Sequence, residues 1–292
     1  MTLKKWIDHN HKKKTGAVLY NFGYLDETAK KEIRRKILKA VAIPGYQAPF
    51  GSREMPIARG WGTGGLQITL SIVEPDDILK VIDQGCDDSV NAVNIKKFIR
   101  AVTGVAVTTD TQKATIIQTR HRIPEEGMTE NQILVLQVPY PEALREVEPS
   151  EMVTRRMHAE GDYSRMWLFL YEDIVKYGEI RISYRYPVRV NNQYIMDPSP
   201  IPRWDVLRLH MADNLFLFGA GREKRIYAVP PHTKVEPLEF EDHPFHVETF
   251  AGRSCERCGA TDAYLDEIIE DASGRRRYFC SDTGFCEKRR YR

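Results

Sequence analysis

No apolar run among these 292 residues approaches the ~20 needed to span a bilayer, so a membrane-crossing helix is not expected. Met1 to Gly16 carries Lys4, Lys5, Lys12, Lys13 and Lys14 but no apolar stretch behind them, which argues against a secretory signal. Neither sign of charge dominates. Forty-three Lys and Arg face 41 Asp and Glu, a net +2, and that balance argues against a chain built to coat nucleic acid. Internal repeats and low-complexity segments are missing. Cysteine is scarce as well: there are five, and four of them fall after residue 254. With no export signal, the expected setting is the cytoplasm, where thiols stay reduced and clustered cysteines bind metals rather than pair as disulfides. Cys86 stands apart and reads as a small buried hydrophobe.

What remains is an ordinary globular composition, 42% hydrophobic and 29% charged, enough for a sizeable core. Ile33, Ile37 and Val41 recur at helical spacing, predicting a helix over Asp26–Ala42 with Asp26 as its N-cap. Pro44-Gly45 then suits the two central positions of a type II turn. A second helix is predicted over Ser89–Val102 and a third over Tyr163–Tyr177. Strand-like runs occur at Gln67–Val73, Ala114–Thr119, Gln132–Val138 and Glu179–Val190. Pro187 marks the last as a sheet edge or bulge, and Asn191-Asn192 turns it into Gln193–Met196. Leu215–Phe218 and Arg225–Val229 form a further pair. The glycines Gly60, Gly62, Gly64 and Gly65 read as a loop. The fold class is a mixed α/β (α+β) core over residues 17–250, with a flexible extension over 1–16 and a small cysteine-rich metal-binding unit over 251–292.

In that unit Cys255 and Cys258 form C-E-R-C, Cys280 follows after 21 residues and Cys286 after five more. Tyr264–Asp271 and Arg276–Cys280 read as a hairpin around Ser273-Gly274, returning Cys280 to the Cys255/Cys258 pair. Four thiolates around one structural Zn²⁺ is one reading. Three thiolates plus a detached fourth, holding an iron–sulfur cluster with one open iron, is the other. Arg120, His121 and Arg122 end a predicted strand, and such a group suits a phosphorylated ligand or a solvated basic strand end equally well.

Longer strings carry more. Tyr20-Asn21-Phe22, K-A-V-A-I-P-G-Y-Q over Lys39–Gln47, G-W-G-T-G-G over Gly60–Gly65, Q-T-R-H-R-I-P-E over Gln118–Glu125, M-D-P-S-P-I-P over Met196–Pro202 and F-G-A-G-R-E-K-R-I-Y-A-V-P-P over Phe218–Pro231 resemble the PhnJ family, the catalytic subunits of bacterial carbon–phosphorus lyase. The resemblance implies a radical S-adenosylmethionine enzyme without that superfamily's usual barrel. It implies a [4Fe–4S] cluster on Cys255, Cys258 and Cys280, with S-adenosyl-L-methionine as the second cofactor. Gly45 would carry a glycyl radical, Cys286 would be the catalytic thiol, and Arg120 and His121 would bind substrate. The implied reaction cleaves α-D-ribose 1-methylphosphonate 5-phosphate to the 1,2-cyclic phosphate and methane. The implied partners are the other subunits of a multisubunit core complex, with no nucleic acid and no membrane. Against this stands a non-catalytic zinc-stapled scaffold or nucleic-acid-binding subunit.

Overall fold

The computed structural model describes residues 25–51, 63–83, 87–120, 124–138, 142–177, 188–191, 194–196, 213–221, 223–237, 250–270 and 272–291. Its centre is a seven-stranded sheet. The strands are β1 (Ala48–Pro49), β2 (Ile78–Ile82), β3 (Ala106–Val107), β4 (Ile116–Thr119), β5 (Ile133–Val138), β8 (Leu215–Ala220) and β9 (Arg225–Val229), in the order β1-β9-β8-β5-β4-β2-β3. From β8 to β3 every neighbour is parallel, while β9 runs antiparallel to β8 and β1 antiparallel to β9. The sheet is open at both ends, so among the described residues there is no barrel. Strands such as β5 and β8 read as continuous apolar runs because both of their faces are buried. Val135 and Leu217 enter one core, while Leu134, Leu136, Phe216 and Phe218 enter the other.

The first face is covered by α1 (Glu27–Ala42), α2 (Thr63–Ile72) and α3 (Val90–Thr103). The expected cap is present: Asp26 Oδ1 accepts from the Ala29 N–H at 2.7 Å; Ser89, the first residue of the predicted second helix, proves to be its N-cap, with Oγ accepting from the Ala92 N–H at 3.1 Å. Gly104 closes α3 in the left-handed region at φ 77°. The predicted strand at Gln67–Val73 is corrected, and so is the loop reading at Gly64 and Gly65; residues 60–62 of that loop lie outside the described residues. Residues 63–72 are helical, and residues 64–71 are buried throughout. A short helix wrapped on all sides by protein shows no apolar period, so its sequence imitates a buried strand. The Arg34 Nε–H donates to the Ser71 carbonyl at 2.5 Å, a cation placed at the negative end of α2.

On the second face, β6 (Val188–Val190), β7 (Tyr194–Met196) and β10 (Val235–Pro237) make a small antiparallel sheet, ordered β10-β6-β7. Val190 and Val235 enter the second core. The β6–β7 pairing agrees with the predicted hairpin, but β6 lies in the middle of its sheet rather than at an edge. Residues 179–187 of the predicted long strand lie outside the described residues. Helices α4 (Glu151–Glu160) and α5 (Ser164–Tyr177) follow β5, and α5 matches the predicted third helix.

Candidate metal centre and the rim that holds it

The cysteine unit folds on a hairpin of β11 (Leu265–Ile269) and β12 (Arg276–Cys280), in register Leu265↔Cys280 to Ile269↔Arg276. Its own small core contains Ala260, Ala263, Leu265 and Tyr278 together with the cysteines, and Phe250 packs against it. The C-E-R-C turn closes with the Gly259 N–H donating to the Cys255 carbonyl, and Gly259 takes φ 74°, where a side chain would be strained. Cys280 returns on β12, as the predicted hairpin requires. Helix α6 (Thr283–Arg290), N-capped by Asp282, brings in Cys286.

All four sulfurs lie within 4.8 Å of one another, with Cys258–Cys280 at 3.5 Å and Cys255–Cys286 at 3.7 Å. Burial opposes ionisation of Cys255, but backbone N–H groups of Cys280, Cys258 and Arg257 aimed at its sulfur draw the thiol down to about 6. Burial and the neighbouring sulfurs hold Cys280 well above its usual range and push Cys286 up to about 12. One thiolate is therefore ready at neutral pH, and a bound cation would draw off the remaining protons.

The donor chemistry suits zinc and iron–sulfur clusters alike. The spacing does not suit them equally. Four sulfurs about 2.3 Å from one tetrahedral ion stand about 3.8 Å apart, close to the observed pairs. A cluster puts each thiolate on a different iron, so its ligands must stand further apart. In this arrangement Cys286 stands with the other three sulfurs as one corner of the quartet.

The unit rests on loops at the carboxyl ends of β2, β3 and β4, and its contacts there are polar. Glu125 accepts from the Tyr264 N–H at 2.9 Å, and Asp88 accepts from the Thr283 hydroxyl at 3.0 Å. Lys288 donates to Glu126 at 2.7 Å and to Asp110 at 3.1 Å. This pairing holds the Asp110 carboxyl below its usual range, does the same for Glu126 against its burial, and raises Lys288 despite partial burial. Under the start of α6, the Asp87 carboxylate lies 3.4 Å from the place a Gly284 Cβ would occupy, and 3.4 Å from the buried Lys80 ammonium. Burial pushes the Asp87 carboxyl up to about 6; Lys80 resists that rise and Asp282 adds to it.

Arg120 leaves β4 at the same carboxyl edge, where open parallel sheets bind their ligands. Its guanidinium grips buried Asp83 through Nε at 2.7 Å and Nη2 at 3.3 Å. No motif or spacing in the sequence singles out Asp83. His121 and Arg122 lie outside the described residues, as do Gly60, Gly62 and Cys86. The Gly65 N–H, in the first turn of α2, donates to Gln137 Oε1 at 2.5 Å. A Cβ on Gly64 would meet the Gly219 carbonyl carbon at 2.5 Å, so this pair lets helix and strand backbones touch. Tyr171 is exposed on α5 and stacks on Trp167 rather than joining a core.

Gly45 occupies the predicted turn, with φ 81° and the Tyr46 N–H bonded to the Ile43 carbonyl at 2.9 Å, the geometry of a type II turn. Its own N–H donates to Ala228 of β9 at 3.1 Å, and Val190 closes over it. The described contacts anchor Gly45 beside β9 and Cys286 over the ends of β2 to β4. They do not bring the two together.

Fold and site define a mixed α/β protein carrying, on the carboxyl edge of its sheet, a unit whose four clustered thiols could hold a metal. A family profile described as "Phosphonate metabolism protein PhnJ" matches residues 18–292. The chain is 60% identical over 271 residues to a Rhizobium meliloti (strain 1021) protein named alpha-D-ribose 1-methylphosphonate 5-phosphate C-P-lyase, covering 93% of this chain and 91% of that one. It is 58% identical over 269 residues to an Escherichia coli (strain K12) protein of the same name, covering 92% and 95%. The chain belongs to the PhnJ family.

Proposed function

We propose that this protein is the carbon–phosphorus lyase that releases methane from α-D-ribose 1-methylphosphonate 5-phosphate and leaves the 1,2-cyclic phosphate. The observation that carries this reading is the near-complete, roughly 60% identity to proteins named for that reaction. Arg120, fixed by Asp83 at the sheet's carboxyl edge, and the adjoining His121 would hold the anionic substrate. A [4Fe–4S] cluster on Cys255, Cys258 and Cys280, with S-adenosyl-L-methionine, would supply a carbon radical when bound, and the sulfur quartet would open to accept it.

The chain's own residues do the rest. The Gly45 Cα–H is weak because a radical there delocalises over two peptide groups. A Gly45 radical would take hydrogen from the Cys286 thiol. The Cys286 thiyl would add to phosphorus as the C–P bond breaks, the methyl radical would take hydrogen from Gly45, and the ribose 2-hydroxyl would displace the thiolate. The net change is one C–P bond and one O–H bond exchanged for one P–O and one C–H bond. This reading places the protein in the cytoplasm, assembled with other subunits of its lyase complex.

The test leaves the protein's shape untouched. The assembled, iron-reconstituted complex is made with Cα-deuterated glycine and given substrate, S-adenosylmethionine and reductant. Deuterium in the 5′-deoxyadenosine is the expected result, and deuterium reaches the methane as well when the thiol and the methyl radical meet opposite faces of Gly45. Deuterium-free 5′-deoxyadenosine removes Gly45 as the radical site, and no methane at all ends the lyase reading.

The sulfur spacing favours a second reading, a zinc-stapled scaffold without catalysis. Stoichiometric zinc, no iron after anaerobic reconstitution and no 5′-deoxyadenosine would establish it.

A further inference from the structure

We propose that Lys288 is a positioning residue for the reaction, tying the helix that carries Cys286 to the carboxyl edge of the sheet, where β3 and β4 end and Arg120 stands. The inference rests on the function proposed above. Lys288 stands two residues after Cys286 on α6, and its ammonium bridges Glu126 at 2.7 Å and Asp110 at 3.1 Å. The other Glu126 carboxylate oxygen accepts from the Thr111 N–H at 3.2 Å, which binds Glu126 to the turn after β3. Beside it, Glu125 accepts from the Tyr264 N–H of the cysteine unit. The sheet edge that carries Arg120, held by Asp83, thus also carries the carboxylates that grip the thiol-bearing unit.

The geometry favours Lys288 over the other contacts for this role. Tyr264 contributes a backbone N–H near the start of the hairpin, remote in sequence from Cys286. Thr283 meets Asp88, in the loop after β2. Lys288 alone among these described contacts joins α6 itself to the groups beyond β3 and β4. Its side chain is 34% exposed, so replacing it opens no core cavity. Attack by sulfur on phosphorus needs the two atoms within about 3–3.5 Å and aligned, and an error near 1 Å can cost on the order of a hundredfold.

The experiment uses the full chain in its complex, reconstituted with iron. Lys288→Met is expected to lower kcat for methane release at least tenfold, with KM within twofold and iron content unchanged. Lys288→Arg should recover most of the rate. The charge exchange Lys288→Glu with Glu126→Lys should recover more than either single change. Amide exchange over residues 284–290, measured without substrate, should quicken in Lys288→Met and slow again in the exchanged pair. A Lys288→Met complex with wild-type kcat overturns the proposal. So does a loss that neither Lys288→Arg nor the exchanged pair restores. If the wild-type complex releases no methane, the function has failed instead, and amide exchange still reads the latch.

Discussion

Gly45→Ala should destabilise the protein by more than its turn position alone explains. Gly45 sits at φ 81°, and holding an L-residue in the left-handed region costs about 1–2 kcal/mol. An added Cβ would lie 2.9 Å from Val190 Cβ, 3.2 Å from its Cγ1 and 3.3 Å from its carbonyl oxygen. Val190 is buried in the middle of the small sheet, so neither atom set can step aside. Overpacking of this kind adds about 1–3 kcal/mol. Reduced freedom of the unfolded chain returns about 0.4–1 kcal/mol. The net loss is about 2–4 kcal/mol, or roughly 4–8 °C in melting temperature at ~2 °C per kcal/mol for a chain of this size. Gly104→Ala is the matched control: its φ is 77°, and nothing lies within 4 Å of its Cβ position. It carries the backbone strain without the collision, and should cost only about 1 kcal/mol. Thermal or urea unfolding of both variants reads the difference directly. Equal losses would refute the argument that Val190 closes over Gly45. Lost methane release in Gly45→Ala is accordingly no proof of a radical at that carbon, because the turn itself would be displaced.

Gly64→Ala should cost about 1–3 kcal/mol in the same assay, since its Cβ would enter the Gly219 backbone at 2.5 Å and helix α2 would have to lift from β8; an unchanged melting temperature would contradict that contact. The Asp87 carboxyl, raised from 3.8 to about 6, binds its proton more tightly in the folded protein, so its contribution to stability falls as pH rises from about 4 through 6. Asp87→Asn should therefore gain on the wild type by on the order of 3 kcal/mol across that window, a gap that stays level above it; a difference independent of pH would show that Asp87 titrates normally. Among the cysteines, alanine at 255, 258 or 280 should abolish iron uptake on anaerobic reconstitution, whereas Cys286→Ala should keep the cluster spectrum and release no methane. Loss of iron in Cys286→Ala would make that residue a fixed ligand.

Local chemistry was legible in the sequence where the cause is local. Asp26 caps its helix because a short oxygen-bearing side chain just before an apolar period has nearby N–H groups to accept from. Pro44-Gly45 makes its turn because only glycine takes the required φ cheaply. The pairing of Cys280 with the Cys255/Cys258 turn followed from one hairpin. Helix α2 was hidden because burial on every side erased its period. The rim was hidden for a different reason: Asp110 and Glu126 lie 178 and 162 residues before Lys288. Each looks like a solvated charge until the sheet order brings the ends of β3, β4 and α6 together. Asp83 was missed likewise, since its bond to Arg120 joins adjacent parallel strands 37 residues apart.

The radical scheme requires a movement, and the packing says which part moves. Gly45 is bonded to β9 and the cysteine unit is bonded to the loops after β2, β3 and β4, with two strands lying between β9 and β4. Three strand spacings separate β9 from β4, about 14 Å, whereas hydrogen transfer needs near-contact. The Gly45 turn is held from both sides by buried structure, Ala228 in the main sheet and Val190 in the small one, so displacing it means opening an apolar core. The cysteine unit has a core of its own and meets the rim through the Tyr264 N–H, Thr283 and Lys288, groups that water can satisfy once released, while its Tyr264 ring packs on the second core and α6 starts over buried Asp87. Exposed or half-exposed ion pairs are worth about 1 kcal/mol or less each, so the Lys288 latch is the cheap part of undocking, and freeing Tyr264 and uncovering Asp87 the costly part. Tyr264, at the root of the hairpin, packs on the same apolar cluster that Val190 enters over Gly45. A polar latch at Lys288 suits a part that must both dock at the rim and leave it.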